Sequence, residues 1–295
     1  MRIRTLDLHF QNTPGLIASY LVESGGEYAL IETGPGSTLN TLRAAIRDAG
    51  VDETAIKKVF VTHIHLDHAG AAGWFAQNGA TIHCHPSAAR HLIDPTRLFE
   101  SARLVYKDQM ETLWGETLPA PADRVKALQD GESVKLGEVE IVAWDTPGHA
   151  RHHHVFVIGD VCFTGDVAGM RLENSPYLSV TSAPPQFDPV AYTQSLDRLA
   201  AAKFQTLYLT HFGAVSDVAW HLDTYRRRIT EVYERVAAGV REGISEEENR
   251  RRYAEVEHEI AMQAGVSEAL WIKGESANVT SMCADGVRLY CDKAK

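Results

Sequence analysis

The stretch VTHIHLDHAG, residues 61–70, places three histidines and an aspartate directly after the apolar segment IKKVF, residues 56–60. Alternate residues of an extended strand point to the same side. His63, His65 and Asp67 can therefore face one point, and His68 can join them as the next helix begins. Imidazole nitrogens and carboxylate oxygens suit Zn²⁺, iron or Mn²⁺. The stretch predicts a metal site at the end of a strand.

Three later stretches repeat this pattern. The segments WDTPGHA (residues 144–150), VCFTGDV (161–167) and YLTHFG (208–213) place His149, Asp166 and His211 at the ends of predicted strands. If these strands belong to one core, their ends can converge on one edge. We therefore expect the three later side chains to join the first cluster.

The candidate ligands outnumber what one ion needs. They are His63, His65, Asp67, His68, His149, Asp166 and His211. One tetrahedral zinc takes three or four protein ligands. Seven fit two ions that share a carboxylate, an arrangement in which the metals lie about 3.5–4 Å apart and assist hydrolysis. The ligand types alone do not choose among zinc, iron and manganese.

The rest of the chain alternates predicted strands and helices as far as residue 213. This β-α-β order predicts a sheet with helices packed on it. Residues 87–123 have helical spacing with large apolar side chains and no strand pattern. We interpret them as a packed helical insertion, with a lid over an active site as the alternative. Residues 1–213 are thus predicted to form one domain and residues 214–295 a C-terminal helical region.

The composition and net charge of the chain argue against some classes of function. The chain has 295 residues and a formal net charge of -10, which argues against broad binding to nucleic acid or to an anionic membrane. The first twenty residues lack the apolar core of a signal peptide. The four cysteines form no CxxC pair, so we expect reduced thiols. We predict a cytoplasmic protein that acts on a small-molecule substrate without nucleic-acid or membrane partners; a homo-oligomer is compatible with the sequence.

The motifs THIHLDH, TPGH, TGD and LTHFG, in this order, resemble the metallo-β-lactamase superfamily over about residues 15–213. The resemblance implies an α/β (α+β) fold, an αββα sandwich with the metal site at one edge of two facing sheets. It also implies two divalent metal ions, with zinc the first expectation and iron or manganese the alternatives. The presence of Asp67 followed by His68 is similar to the glyoxalase II, lactonase and ribonuclease Z branches.

The family's ligand roles carry over by position. His63, His65 and His149 would hold the first metal; Asp67, His68 and His211 would hold the second; Asp166 would bridge them. In the family's hydrolases a metal-bridging hydroxide attacks the substrate. The resemblance therefore makes Asp67 a catalytic residue as well, because it would orient that water.

Two stretches depart from the family pattern. LIETGPG, residues 30–36, has Glu32 where the family often has aspartate, so a longer side chain would support the ligand loop from outside the ligand set. TPGHARHHH, residues 146–154, has His152 in place of a common glycine, and His153 falls where the family's second histidine lies. The loop after Asp166 contains Arg171 and Tyr177. We predict substrate contacts for His153, Arg171 and Tyr177.

The sequence thus predicts a dinuclear metal-dependent hydrolase that attacks an ester-like bond, with a thioester or a lactone as the main expectations. A phosphodiesterase is one alternative. A diiron redox enzyme that reduces oxygen or nitric oxide is another, although members of that kind carry a flavin domain and the tail after residue 213 is predicted to be helical. A metal-binding module without catalysis is the third.

Overall fold

Two six-stranded sheets lie face to face in the computed structural model, which describes residues 1–293. Sheet 1 has the order β1-β2-β3-β4-β5-β6, and sheet 2 has the order β12-β11-β10-β9-β8-β7. The strands of sheet 1 are β1 (Arg2–Asp7), β2 (Ala18–Ser24), β3 (Glu27–Ile31), β4 (Ile56–Phe60), β5 (Thr81–Cys84) and β6 (Val125–Ala127). Those of sheet 2 are β7 (Ser133–Leu136), β8 (Val139–Asp145), β9 (His154–Ile158), β10 (Val161–Gly165), β11 (Thr206–Leu209) and β12 (Gly213–Val215).

The sheets are mixed, and their parallel parts bring strand ends together. Strands β3 to β6 run parallel, as do β10 and β11, whereas the other neighbours are antiparallel. The carboxyl ends of parallel strands meet at one edge of a sheet. The segments after β4, β10 and β11 therefore open at the same end of the sandwich.

An apolar core fills the space between the sheets. Tyr20, Phe60, Phe156 and Phe163 are each at most 1% exposed and belong to one cluster, in which Phe60 meets Phe156 edge to face at 5.1 Å. Because successive side chains of a strand alternate, these residues can point inward while their neighbours face the helices. This core holds the strand ends in register across the two sheets.

Helices cover the outer faces of both sheets. They are α1 (Leu39–Asp48), α2 (Leu66–Ala69), α3 (Ala72–Gln77), α4 (Pro86–Ile93), α5 (Thr96–Tyr106), α6 (Met110–Trp114), α7 (Pro189–Ala202), α8 (Val218–Glu242), α9 (Glu246–Gln263), α10 (Glu268–Glu275) and α11 (Thr280–Lys293). One outer core lies between sheet 1 and helices α1, α3, α4 and α6. The other lies between sheet 2 and helices α7, α8 and α11. The predicted αββα sandwich is confirmed.

The two predicted helical segments both contain helices. Within residues 87–123, α4, α5 and α6 occupy most of the stretch, and Trp114 stacks on Phe10 at 5.6 Å. In the C-terminal region, Ser245 caps α9 by accepting a hydrogen bond from the Glu248 amide (3.1 Å), as its sequence predicts. Helix α8 packs on α7 and shares the outer core of sheet 2. The domain limits at 213 and 214 stay predictions.

All four cysteines are buried, and none of them forms a disulfide within residues 1–293. Across residues 1–293, none of the helices has both the length and the apolar character required to pass through a lipid bilayer.

Candidate metal centre

The seven predicted ligands meet at one end of the sandwich. His63 and His65 follow β4, Asp67 and His68 lie in the short helix α2, and His149 sits in the loop between β8 and β9. Asp166 follows β10 and His211 follows β11. Except for His65 and Asp67, which are partly exposed, these side chains are buried. Strand ends from both sheets thus supply one polar cluster.

Three imidazoles form the first part of the cluster. The Nδ1 atom of His65 lies 3.0 Å from Nε2 of His63 and 2.9 Å from Nε2 of His149. Nitrogen atoms this close on three rings from separate segments can share one ion. His63, His65 and His149 could therefore hold one ion with three nitrogens.

Asp67, His68 and His211 form the second part. The Oδ2 atom of Asp67 lies 3.5 Å from Nε2 of His68 and 3.4 Å from Nε2 of His211. These three groups can hold a second ion with two nitrogens and one oxygen.

Asp166 lies between the two parts. Its Oδ2 is 3.3 Å from Nε2 of His149, while its Oδ1 is 3.2 Å from Nε2 of His68 and 3.4 Å from Nε2 of His211. Each carboxylate oxygen therefore faces a different set of nitrogens. Nε2 of His68 and Oδ1 of Asp166 are buried and have no hydrogen-bond partner among the described residues. Since unpartnered buried polar atoms are costly, this donor set fits divalent metal ions.

The other ring nitrogens are oriented by protein acceptors. The Nδ1 atoms of His149 and His211 lie 2.9 Å from the carbonyl oxygens of Thr181 and Leu16, respectively. Nδ1 of His68 lies 3.0 Å from Oε1 of Glu32. These Nδ1 contacts fix the orientation of each ring, so that Nε2 points into the cluster.

Glu32 supports this end of the sandwich from outside the ligand set. Its side chain is 1% exposed and accepts hydrogen bonds from the Thr62 amide (3.2 Å) and the Thr62 hydroxyl (2.5 Å). Thr62 in turn contacts Nδ1 of His63 at 3.0 Å. Glu32 has a left-handed backbone (φ 65°), which is uncommon for a residue other than glycine. One carboxylate thus connects His63 and His68.

The charges of the cluster balance each other. Burial alone would raise the pKa of Asp67, but His68 and His211 beside it bring that pKa down to about 2. Burial also opposes ionisation of Asp166, yet His149, His68 and His211 hold its pKa well below the usual value. Both carboxylates are therefore ionised at neutral pH and ready to bind cations. Burial keeps the pKa of His63 well below its usual value, so this ring is a neutral ligand.

Two glycines of the motifs are required by close packing. A Cβ at Gly165 would lie 2.4 Å from Oγ1 of Thr62, and one at Gly148 would lie 2.3 Å from Cα of Tyr192. Gly165 also has a positive φ of 50°. Only glycine lets the chain reach Asp166 and His149 along these paths.

The structure gives each of the three predicted substrate contacts a partner within the protein. His153 is fully buried: its Nε2 accepts from the Asp166 amide (3.2 Å) and its Nδ1 faces Oγ1 of Thr146 (2.9 Å). Arg171 forms an ion pair with Asp217.

Tyr177 donates to Glu257 (2.9 Å) and lines a separate cavity of only about 20 Å³. All three side chains are thus held by other residues of the protein.

A cavity of about 480 Å³ opens over the metal cluster, and its walls contain residues that the sequence reasoning missed. Leu98, Ala102 and Val105 line it from one face of α5, and Tyr106 and Trp114 lie nearby. His91, Arg97 and His152 add ionisable groups. The helical spacing of residues 98, 102 and 105 was the available signal, but only the fold reveals which face of α5 meets the cluster.

A model of the metallo-beta-lactamase superfamily matches residues 12–211, more than half of the chain. The chain belongs to this superfamily. The match ends at His211, so it includes every segment that contributes to the metal cluster.

Two curated relatives share part of the sequence. Metallo-beta-lactamase fold-containing protein ST1585 of Sulfurisphaera tokodaii is 30% identical over 162 residues, or 54% of this chain and 61% of that protein. Rv2581c, an uncharacterized protein of Mycobacterium tuberculosis, is 28% identical over 156 residues, or 48% of this chain and 62% of that protein. The matched part of this chain thus spans less than two thirds of either relative.

Solved structures share the fold. The crystal structure of ST1585, from Sulfolobus tokodaii, matches with a TM-score of 0.64 at 24% identity, covering 77% of this chain and 85% of that chain. TTHA1429, a metallo-beta-lactamase family protein from Thermus thermophilus, matches with a TM-score of 0.63 at 23% identity, covering 80% of this chain and 82% of that chain.

Proposed function

We propose that this protein is a hydrolase that holds two divalent metal ions at the seven-residue cluster and cleaves an ester-like bond, with thioesters and lactones as the favoured substrates. The observation that carries the proposal is the position of Asp166, whose two oxygens face different sets of imidazoles. A carboxylate placed in this way suits a bridge between two ions.

His63, His65 and His149 would hold one ion, and Asp67, His68 and His211 the other. When bound, such a pair supplies Lewis acidity and activates water near neutral pH. Zinc suits the nitrogen-rich first set, while iron and manganese accept the same ligands.

The chain's own residues would position the reactants. Asp67 is ionised and 18% exposed towards the cavity side of the cluster, so its carboxylate can accept a hydrogen bond from a reacting water and orient it. The outer acceptors on His68, His149 and His211 keep those rings from rotating. Asp166 would be shared by the two ions. His153 would hold the Asp166 loop in place, because its Nε2 accepts a hydrogen bond from the Asp166 amide.

The cavity favours an apolar acyl substrate. Its volume of about 480 Å³ lies within the usual range for small-molecule sites. Leu98, Ala102 and Val105 on α5, with Trp114, form an apolar wall next to the cluster. Such a wall suits the hydrocarbon part of a lactone or thioester better than a polyanionic phosphodiester. Helix α5 lines the cavity next to the cluster, which supports the alternative that residues 87–123 form a lid.

Metal content and substrate range test the proposal together. The full chain would be analysed for bound metals and assayed against lactones, thioesters, phosphodiesters and oxygen reduction. We expect metal-dependent turnover of lactones or thioesters that is lost after chelation and returns with added metal. Equal turnover in metal-free protein would contradict the proposal. Turnover confined to phosphodiesters, or iron-dependent consumption of oxygen, would replace it with one of the two alternatives. The cytoplasmic location and the oligomeric state stay predictions.

A further inference from the structure

Another ligand-type cluster lies between the two sheets, apart from the metal centre. It consists of His85, Asp145 and His154, whose ligand atoms all lie within 4.8 Å of one another. Nε2 of His85 is 3.5 Å from Oδ1 of Asp145, and the rings of His85 and His154 have centroids 4.6 Å apart. We call this set the inter-sheet cluster. None of its members belongs to the seven residues of the metal centre.

The strand register brings these residues to one place. Asp145 on β8 and His154 on β9 are direct cross-strand partners, so their side chains lie on the same face of sheet 2. His154 is two residues before Phe156, which points into the core between the sheets. His85 comes two residues after His83, which stacks on Phe60 of the same core. All three residues therefore face the space between the sheets.

The cluster contains polar atoms without partners. His154 is fully buried, and neither Nδ1 nor Nε2 of its ring has a hydrogen-bond partner among the described residues. Oδ1 of Asp145 is also buried without a partner. Buried polar groups are normally satisfied, and an imidazole with both nitrogens unpartnered is uncommon. Two of the three residues of the inter-sheet cluster, Asp145 and His154, thus present buried polar atoms without hydrogen bonds.

We propose that His85, Asp145 and His154 bind one Zn²⁺ ion that links sheet 1 to sheet 2. Two imidazoles and one carboxylate are a common zinc ligand set with an open fourth position. Ligand atoms of a tetrahedral zinc lie about 3.3 Å apart, so the 3.5 Å between His85 and Asp145 is already close. The Asp145 side chain is 42% exposed, which gives the ion a route from solvent and water a place at the fourth position.

The protonation states are compatible with this ion. Burial lowers the pKa of His154 to about 4, so the ring is neutral at pH 7. Nδ1 of His85 accepts from the amide of Ser87 at the start of α4 (3.0 Å), which puts the proton of neutral His85 on Nε2. Zinc binding would move that proton to Nδ1 and release the Ser87 amide to solvent, because Ser87 is exposed.

The charged residues that the structure describes around the inter-sheet cluster leave the carboxylate of Asp145 without a cation to neutralise it. Asp130 accepts from the Asp145 amide (2.9 Å) and pairs with Arg198 (2.7 Å). Arg198 also donates to the carbonyl of Asp145 (3.2 Å). Since Asp130 neutralises Arg198, the carboxylate of Asp145 remains to attract a cation.

The proposal is tested by comparing the number of zinc ions bound by the wild-type protein with the number bound by variants. Wild-type protein, His85→Asn, Asp145→Asn and a control, His258→Asn, would each be stripped with a chelator, dialysed against micromolar Zn²⁺ and analysed for bound zinc. Asparagine can still cap α4 in place of His85. His258 is an exposed histidine on α9, so its variant is a matched loss of one imidazole. Circular dichroism would establish that each variant is folded.

We expect His85→Asn and Asp145→Asn each to bind one zinc fewer than wild type, and His258→Asn to bind the same number. Zinc should also raise the thermal midpoint of wild type more than that of the two variants. Equal zinc counts in all four proteins would overturn the proposal, as would an equal loss in the control, which would indicate an adventitious surface ion. Because the readout is a difference, it stands whatever number of ions the metal centre holds.

Discussion

The molecule contains two kinds of buried histidine. At the metal centre, the rings of His68, His149 and His211 each have an outer nitrogen held by a protein acceptor and an inner nitrogen directed at the cluster. Between the sheets, His83 stacks on Phe60 and its Nδ1 has no hydrogen-bond partner among the described residues. The comparison teaches that burial alone does not make a histidine a candidate ligand of the metal centre. There, each of these three rings is also oriented by a protein acceptor on its outer nitrogen.

The largest expected effect comes from substituting one histidine of each kind, His63 at the metal centre and His83 between the sheets. His63→Ala should remove a ligand, which lowers the metal content and lowers kcat/KM by more than the roughly 100-fold typical of an outer partner. His83→Phe keeps a ring stacked on Phe60 and should leave both quantities close to wild type. Elemental analysis and steady-state kinetics on the two variants would check this. Similar losses in both would break the comparison.

The second largest effect should be a loss of folding stability at acid pH. Burial, with Lys58 and Lys126 nearby, lowers the pKa of His83 from its ordinary value of 6.5 to about 4. Below pH 6.5 the unfolded chain binds this proton and the folded chain does not, so stability is full above that pH and falls as pH drops to about 4. The loss should be on the order of 3 kcal/mol.

Urea unfolding at pH 7 and pH 4 would measure this contribution. His83→Phe has no titratable group at this position, so its loss of stability between the two pH values should be smaller than that of wild type. An identical pH dependence in the two proteins would show that folding does not shift the pKa of His83.

A smaller effect is expected from a substitution of Glu32, which supports the metal centre from outside the ligand set. Glu32→Gln keeps the size of the side chain but removes the charge shared by His68 and Thr62. Metal affinity should fall by about 10-fold to 100-fold. Competition with a chromogenic chelator would measure the affinity. Glu27→Gln, at an exposed glutamate paired with Lys58, is a suitable control and should bind metal as wild type does.

The smallest effect concerns Tyr177, a predicted substrate contact whose hydroxyl already has a partner within the protein. Tyr177→Phe removes the hydrogen bond to Glu257, which Arg228 and Arg235 also hold. We expect a loss of about 1 kcal/mol in unfolding free energy and an unchanged KM. A large rise in KM with intact stability would return Tyr177 to the substrate site.

The motifs made much of the metal centre predictable, because ligand-type residues at strand ends are a local pattern. The alternation after β4 placed His63 and His65 on one side, and TPGH, TGD and LTHFG each ended a strand. The roles of His153 and Arg171 were not predictable in this way. Their partners, Asp166 and Asp217, are 13 and 46 residues away, so proximity in sequence to a ligand loop said little about where each side chain points.

By itself, the sequence determined the candidate metal ligands and the chemistry open to them, because these depend on residue type and short-range periodicity. The αββα class followed from the resemblance of its motifs to the metallo-β-lactamase superfamily. Only the tertiary structure decided that Asp166 lies between two sets of imidazoles, that one face of α5 covers them, and that His85 meets Asp145 and His154 across the two sheets. Those juxtapositions arise from strand register and sheet packing, in which residues far apart in the chain are brought within a few ångströms by the burial of the core between them.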